Sequence, residues 1–185
     1  MKPGFAEEAL PLMDAVYHFA LRLARGRGEM AEDLVQETYL RAYRAWEGFR
    51  PGTNAKSWLF TICRNVFLRT LEQRKIRPDS LAQPLGDDVD SLVDPAPHAD
   101  PAARYFDSVI DETVVRELDR LPDDFREVVV MRDLHDLSYA EIAEALSIPV
   151  GTVRSRLHRG RATLQRALYE YAIEEGFLRP GSAHV

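Results

Sequence analysis

Apolar side chains return every three or four positions from Leu12 to about Trp46. They run first as Leu12, Val16, Phe19, Ala20 and Leu23, then as Leu34, Val35, Tyr39 and Ala42, with Thr38 in step. That period is one face of a helix. Between the two runs, "ARGRGEM" places Gly26 and Gly28 as a break, and Glu29, Glu32 and Asp33 follow where the positive end of a new helix favours acids. Two packed helices are predicted. "GFRPGTN", at 48–54, gathers Gly, Pro and Asn as a loop does, and a third helix is expected from Ala55. Its stripe is Trp58, Leu59, Ile62, Val66 and Leu71, while Arg64, Asn65, Arg69, Arg74 and Lys75 lie on other faces and make its outside basic. Trp58, being in the stripe, is expected to pack in the core.

The pattern then stops. Residues 77–101 hold Pro78, Pro84, Pro95, Pro97 and Pro101 together with six aspartates, and no Lys or Arg stands between Arg77 and Arg104. Proline removes backbone donors and the acids repel one another, so this stretch reads as an acidic linker rather than packed structure. Helical spacing resumes with Val109, Thr113, Leu118 and Leu121, then Phe125, Val128, Val129 and Leu134 after "LPDD". Ser138 and Glu141 form an S-x-x-E capping box, which starts a helix at Tyr139 that ends near Ser147. Pro149 suits the first turn of the next helix. Helix, short turn, helix is the result.

Along that last helix the charge is one-sided. Arg154, Arg156, Arg159 and Arg161 crowd together, and no carboxylate occurs between Val150 and Tyr169, although the 185-residue chain has a formal net charge of -6. Val153, Leu157, Leu164 and Leu168 share a stripe able to pack on the preceding helix, and Gly151, Thr152, Ser155, His158 and Arg159 face away. Small or hydrogen-bonding residues near a helix N-terminus, flanked by guanidinium groups, suit base edges and phosphates in a major groove. Nucleic acid is the expected partner of this face, against the plainer reading of a solvated basic surface.

Composition narrows the rest. With 45% hydrophobic and 29% charged residues the chain reads as ordinary folded material. No apolar run approaches a membrane span and no basic-then-apolar leader opens the sequence, so a cytoplasmic location is expected. Cys63 stands alone and the histidines are scattered, so neither a disulfide nor a metal site is expected, and Cys63 reads as a small core residue. No glycine-rich phosphate loop and no nucleophile with a base appears, which argues against an enzyme and against a cofactor.

Three stretches carry a family resemblance. "AEDLVQETYLRAYRAWEGFR" (31–50) resembles the core-polymerase-binding helix of the extracytoplasmic-function sigma factors, the smallest initiation factors of bacterial transcription. "TNAKSWLFTICRNVFLRTLEQRK" (53–75) resembles their promoter-melting region, and "LSYAEIAEALSIPVGTVRSRLHRGRATL" (137–164) their region 4 helix-turn-helix. The resemblance implies an all-α chain of two small helical domains, region 2 over 5–76 and region 4 over 105–175, joined by a flexible acidic linker over 77–104. It implies a factor without catalytic activity that binds core RNA polymerase, through the clamp helices and the flap of the large subunits, and directs it to promoter DNA.

Residue roles follow from the same resemblance. Asp33, Gln36, Glu37 and Arg41 would dock on the clamp helices, although their spacing alone also fits an ordinary solvated face. Thr53, Asn54, Lys56 and Ser57 would cradle a flipped non-template base of the minus-ten element, with Asn65 and Arg69 on nearby bases or phosphates. Arg154, Ser155, His158 and Arg159 match the positions that face minus-thirty-five bases, and Thr152, Arg156 and Arg161 are placed for phosphates. His158 departs from the large apolar or aromatic residue common there in some relatives. The linker acids would either mimic a nucleic-acid strand in the polymerase cleft or serve as a solubilising tether. An anti-sigma factor is the implied regulator, and any membrane contact would run through it. The competing reading is a stand-alone dimeric helix-turn-helix regulator, which needs one nucleic-acid face where this chain offers two.

Overall fold

The computed structural model describes residues 4–50, 52–76 and 111–176, and every regular element among them is helical. The expected linker and the tail beyond 176 lie outside the described residues. A short α1 (Phe5–Glu8) leads through a 3-10 turn into α2 (Met13–Leu23), α3 (Gly28–Ala45) and α4 (Ala55–Ile76). The predicted stripes face the core, with Leu12, Val35, Tyr39, Trp58, Ile62 and Leu71 of them only partly buried, and Phe60, Cys63 and Phe67 join the buried side of α4. Val16, Phe19, Ala20 and Leu23 of α2 meet Ala31, Leu34, Thr38 and Ala42 of α3 and Leu59, Cys63 and Val66 of α4. The break between α2 and α3 is made by Arg25 and Gly26, both in the left-handed region, and Gly28 is already helical. Trp58 is half-buried, packing beside the stacked pair Trp46–Phe49 at the mouth of the loop before α4.

The second group begins with α5 (Glu112–Arg120), capped by Asp111, and α6 (Asp123–Val129), which passes into a π turn over Val130–Leu134. Val128 to Met131 are fully buried there. Arg126 lies in the same core, its charge met by Asp123 and its guanidinium donating to the carbonyl oxygens of Asp119 and Leu121. A charge so deep persists only with partners of this kind. The capping box forms as predicted: Glu141 N donates to Ser138 Oγ at 3.2 Å and Ser138 N to Glu141 Oε2 at 2.7 Å, starting α7 (Tyr139–Leu146). Ser147 ends it in the left-handed region, and α8 (Val150–Ala167) follows with Pro149 just ahead of its first residue. A short α9 (Tyr169–Glu174) closes the described part.

Helix α8 sits unusually close to α6. A Cβ on Gly160 would come within 2.8 Å of Val129 Cγ2 and 3.4 Å of Phe125 Cβ, so glycine is what permits this approach. Val153 and Leu157 complete the buried side of α8, with Leu164 packed against the core.

The two groups are not separate bodies. One hydrophobic cluster runs through both. Phe19 stacks on Phe60 with ring centroids 4.3 Å apart, and His135, at the end of the π turn, sets its ring edge against both.

Candidate nucleic-acid interface

The loop before α4 is organised by Asn54. Its Oδ1 accepts from the backbone N–H of Lys56 at 3.0 Å and of Ser57 at 3.4 Å, covering donors that the first turn of α4 leaves unmatched. Thr53, exposed, bends back to donate to the carbonyl of Arg50 at 2.7 Å. A cavity of about 420 Å³ opens here, walled on one side by Phe49, Arg50, Thr53 and Trp58 and on the other by Glu141 and Glu144 of α7. Its size is that of an ordinary ligand pocket. Aromatic, amide and cationic groups meet in it, the set that holds an unstacked base.

The predicted strand residues divide into two sets. Thr53, Asn54 and Ser57 line the cavity, Lys56 lies in the same first turn of α4 but turns its ammonium away from it, and Asn65 and Arg69 lie further along α4, exposed and without partners among the described residues. The first set is engaged from across the molecule. Asn54 Nδ2 donates to Glu141 Oε1 at 2.6 Å, Lys56 Nζ to the carbonyl of His135 at 2.6 Å, and Ser57 Oγ to the carbonyl of Glu141 at 3.4 Å. Burial acts to raise the Glu141 carboxyl, but hydrogen bonds from Ser138 and Asn54 outweigh it and hold the group below its usual range. Sequence reasoning missed Glu141 and Glu144 as parts of this site, since nothing local to α7 points to α4.

The other predicted face is the outer side of α8. Arg154, Ser155, His158 and Arg159 are all exposed on it, and Thr152 is half-buried. Arg154 lies over the ring of Tyr139 at 6.0 Å, and Arg132 covers the same ring at 5.5 Å. Arg156 and Arg161 are held differently. Arg156 pairs with Asp124 at 2.6 Å and Arg161 makes a two-bond fork with Asp133, so carboxylates of α6 and the π turn fix both guanidiniums at the flank of the helix. The side chains of His158 and Arg159 have no partner among the described residues, which leaves them open to a ligand.

The third predicted set lies on α3. Asp33 and Gln36 are exposed, while Glu37 and Arg41, half-buried, pair with each other one turn apart. Tyr43 and Leu40 stand exposed beside them. Cys63 is fully buried, and burial pushes its thiol up to about 12, so it is inert core. No group of three or more metal-ligating side chains occurs among the described residues, and none of their helices is long and apolar enough to cross a membrane.

Comparison with known proteins covers both groups of helices. The family model described as Sigma-70 region 2 matches residues 11–76, and that described as Sigma-70, region 4 matches 111–164. The chain is 39% identical over 173 residues to the ECF RNA polymerase sigma factor SigE of Mycolicibacterium smegmatis, covering 93% of this chain and 64% of that protein. It is 31% identical over 169 residues to the ECF RNA polymerase sigma factor SigW of Bacillus subtilis, with 89% of each covered. Among solved structures, the sigma factor RpoE of Bartonella quintana, in complex with the anti-sigma factor NepR, superposes with a TM-score of 0.71 at 29% identity, over 89% of this chain and 96% of that one. CnrH, in complex with the cytosolic domain of CnrY, shares the fold with a TM-score of 0.59 at 24% identity over 90% and 88%.

Proposed function

The chain belongs to the sigma-70 family, in its extracytoplasmic-function group, and from that membership we propose that it binds core RNA polymerase and directs it to promoters. The observation that carries this reading is the ordered pair of matches, region 2 over 11–76 and region 4 over 111–164, on two helical groups that each bear a polar, basic face. Members of this family are initiation factors rather than enzymes. A stand-alone dimeric regulator is not favoured, because the likeness extends well beyond the helix-turn-helix.

The division of labour follows the chain. Residues 5–76 form the unit that binds polymerase and reads the minus-ten element, 77–104 join it to the rest, and 105–175 read the minus-thirty-five element. Exposed Arg154, Ser155, His158 and Arg159 contact base edges, with Thr152, Arg156 and Arg161 on phosphates. The carboxylates beside Arg156 and Arg161 aim those side chains and must share them with a phosphate. Thr53, Asn54, Lys56 and Ser57 hold a flipped non-template base at the cavity beside Trp58, and Asn65 and Arg69 reach the adjoining strand. On α3, Asp33, Gln36, Glu37 and Arg41 dock on the clamp helices, and the flap receives the C-terminal unit. An anti-sigma factor restrains the chain, a reading supported by the complex in which the Bartonella quintana neighbour is found.

In vitro transcription with purified core polymerase over a library of promoter sequences tests the whole reading. Sequence-dependent initiation that appears only with this chain is expected. Failure to associate with the core enzyme, or association that leaves initiation unchanged on every template, would overturn it.

A further inference from the structure

The arginines at 154–161 of α8 are held in three ways. Arg156 and Arg161 give N–H donors to Asp124 and Asp133, and Arg159 has no partner among the described residues. Arg154 is exposed and meets no carboxylate among those residues either, but its guanidinium lies over the ring of Tyr139 at 6.0 Å.

The kind of partner matters to a side chain that reads bases. A carboxylate takes up N–H donors of the guanidinium, the same groups that would meet guanine O6 and N7. A ring face attracts the positive charge and leaves the fork of donors unspent. Arg154 is therefore restrained and still fully able to donate. A contact that spends no donor need not break when a base arrives. The ring narrows the rotamers of Arg154 before binding and keeps its hold afterwards, which lowers the entropy lost in ordering a long side chain.

Tyr139 is itself well fixed. It is the first residue of α7, directly after the serine of the capping box, and it is half-buried against the core. Arg132 covers the same ring at 5.5 Å and is tied in turn by a 2.9 Å bond from its guanidinium to the Leu137 carbonyl. Asp133 first, with Tyr139 adding to it against burial, raises the Arg161 guanidinium above its ordinary range, so the phenol serves a third arginine.

We propose that Tyr139 is a positioning residue for minus-thirty-five recognition: its ring presents the Arg154 guanidinium, with the edge donors free, to the base that Arg154 reads. The proposal rests on reading Arg154 as a base contact. Tyr139 lies on the other helix of the pair, so the first helix takes part in sequence choice through the arginine it holds.

The test uses holoenzyme formed from the full chain and core polymerase, on promoters in which each minus-thirty-five base pair is substituted in turn. Arg154→Ala and Arg159→Ala first mark the base pair whose preference each arginine sets. Tyr139→Leu is expected to cut the preference at the Arg154 pair about fivefold, the worth of an exposed cation–π contact, and to leave the Arg159 pair unchanged. Tyr139→Phe keeps the ring and is expected to retain the wild-type preference. Added to Arg154→Ala, Tyr139→Leu is expected to take nothing more from that pair. Equal losses at every base pair would overturn the proposal, because Tyr139 would then only support the packing of α7. So would an Arg154 preference that survives Tyr139→Leu, or one that Tyr139→Phe also abolishes. If Arg154→Ala leaves the preference at every base pair intact, the base-contact reading itself has failed and Tyr139 has nothing to position.

Discussion

The two proposed reading surfaces are built from similar side chains held in opposite circumstances. Around Asn54, the side chains of Asn54, Lys56 and Ser57 are committed to acceptors on α7 and at the end of the π turn, and the pocket is walled on one side by acids. Along α8, His158 and Arg159 project from the helix without partners among the described residues, and exposed Arg154 leans on the ring of Tyr139. The difference lies in where the neutralising acids fall. The C-terminal unit directs its carboxylates sideways, from α6 and the π turn to Arg156 and Arg161, and across the seam, from α6 and α7, to the N-terminal unit. The face of α8 is therefore open, whereas the loop before α4 is covered by α7 and the end of the π turn.

The largest expected effect removes one side of this comparison. Gly160→Val places a branched side chain where even a Cβ meets Val129 Cγ2 at 2.8 Å, forcing α8 off α6. Overpacking of this kind is expected to cost about 3 kcal/mol. Urea unfolding measures the loss, and amide exchange should show protection falling in 111–176 before it falls in 4–76. An equal fall in both would mean that the shared core, rather than the two groups, is the unit of stability.

A second substitution leaves the fold alone and tests the open face. Arg159 is exposed and unpartnered, so Arg159→Ala should scarcely change stability. Loss of a good guanidinium contact to a base is expected to weaken binding to a matched minus-thirty-five duplex by about 2 kcal/mol, and to a scrambled duplex far less. Equal losses on both would reduce Arg159 to a phosphate contact.

The seam offers a third lever, through acidity. Burial first, then the charges of Lys56 and His18, push the His135 imidazole down to about 4, and its Nε2 is buried with no hydrogen-bond partner. Freed from Phe19 and Phe60, it would return toward the ordinary value near 6.5. The pKa is lower in the closed form, so protonation favours the open one: closure is at full strength above about pH 6.5 and is lost as the pH falls from there toward 4. Between pH 7 and pH 5 the open fraction should rise on the order of twentyfold. Scattering across that range checks it, and His135→Phe should flatten the response.

Much of this architecture was legible because it is local. The stripes of α2, α3 and α4, the capping box at Ser138 and the arginine face of α8 are each written within a few residues, at a period the backbone imposes. What could not be read joins distant positions. The pairs 22–119, 54–141 and 64–127 depend on how two groups of helices meet, and no local pattern marks them. Nothing local marks Arg126 as buried or Gly160 as the point of closest approach between α8 and α6. Arg156 and Arg161 were legible as cations, but not as cations already held by Asp124 and Asp133.

The smallest predicted effect separates the two duties of the α7 cap. Glu141 uses one carboxylate oxygen to accept from the Ser138 backbone and the other to accept from Asn54, so the same group finishes a helix and holds the seam. Ser138→Ala deletes only the hydroxyl that accepts from Glu141 N. It should cost about 1 kcal/mol in stability, the usual worth of an N-cap side chain. The bond from the Ser138 backbone persists, so Glu141 stays aimed at Asn54 and small-angle scattering should find the variant as compact as the wild type. A marked expansion would show that the cap itself, and not the charges around Arg64 and Arg22, sets the strength of the seam.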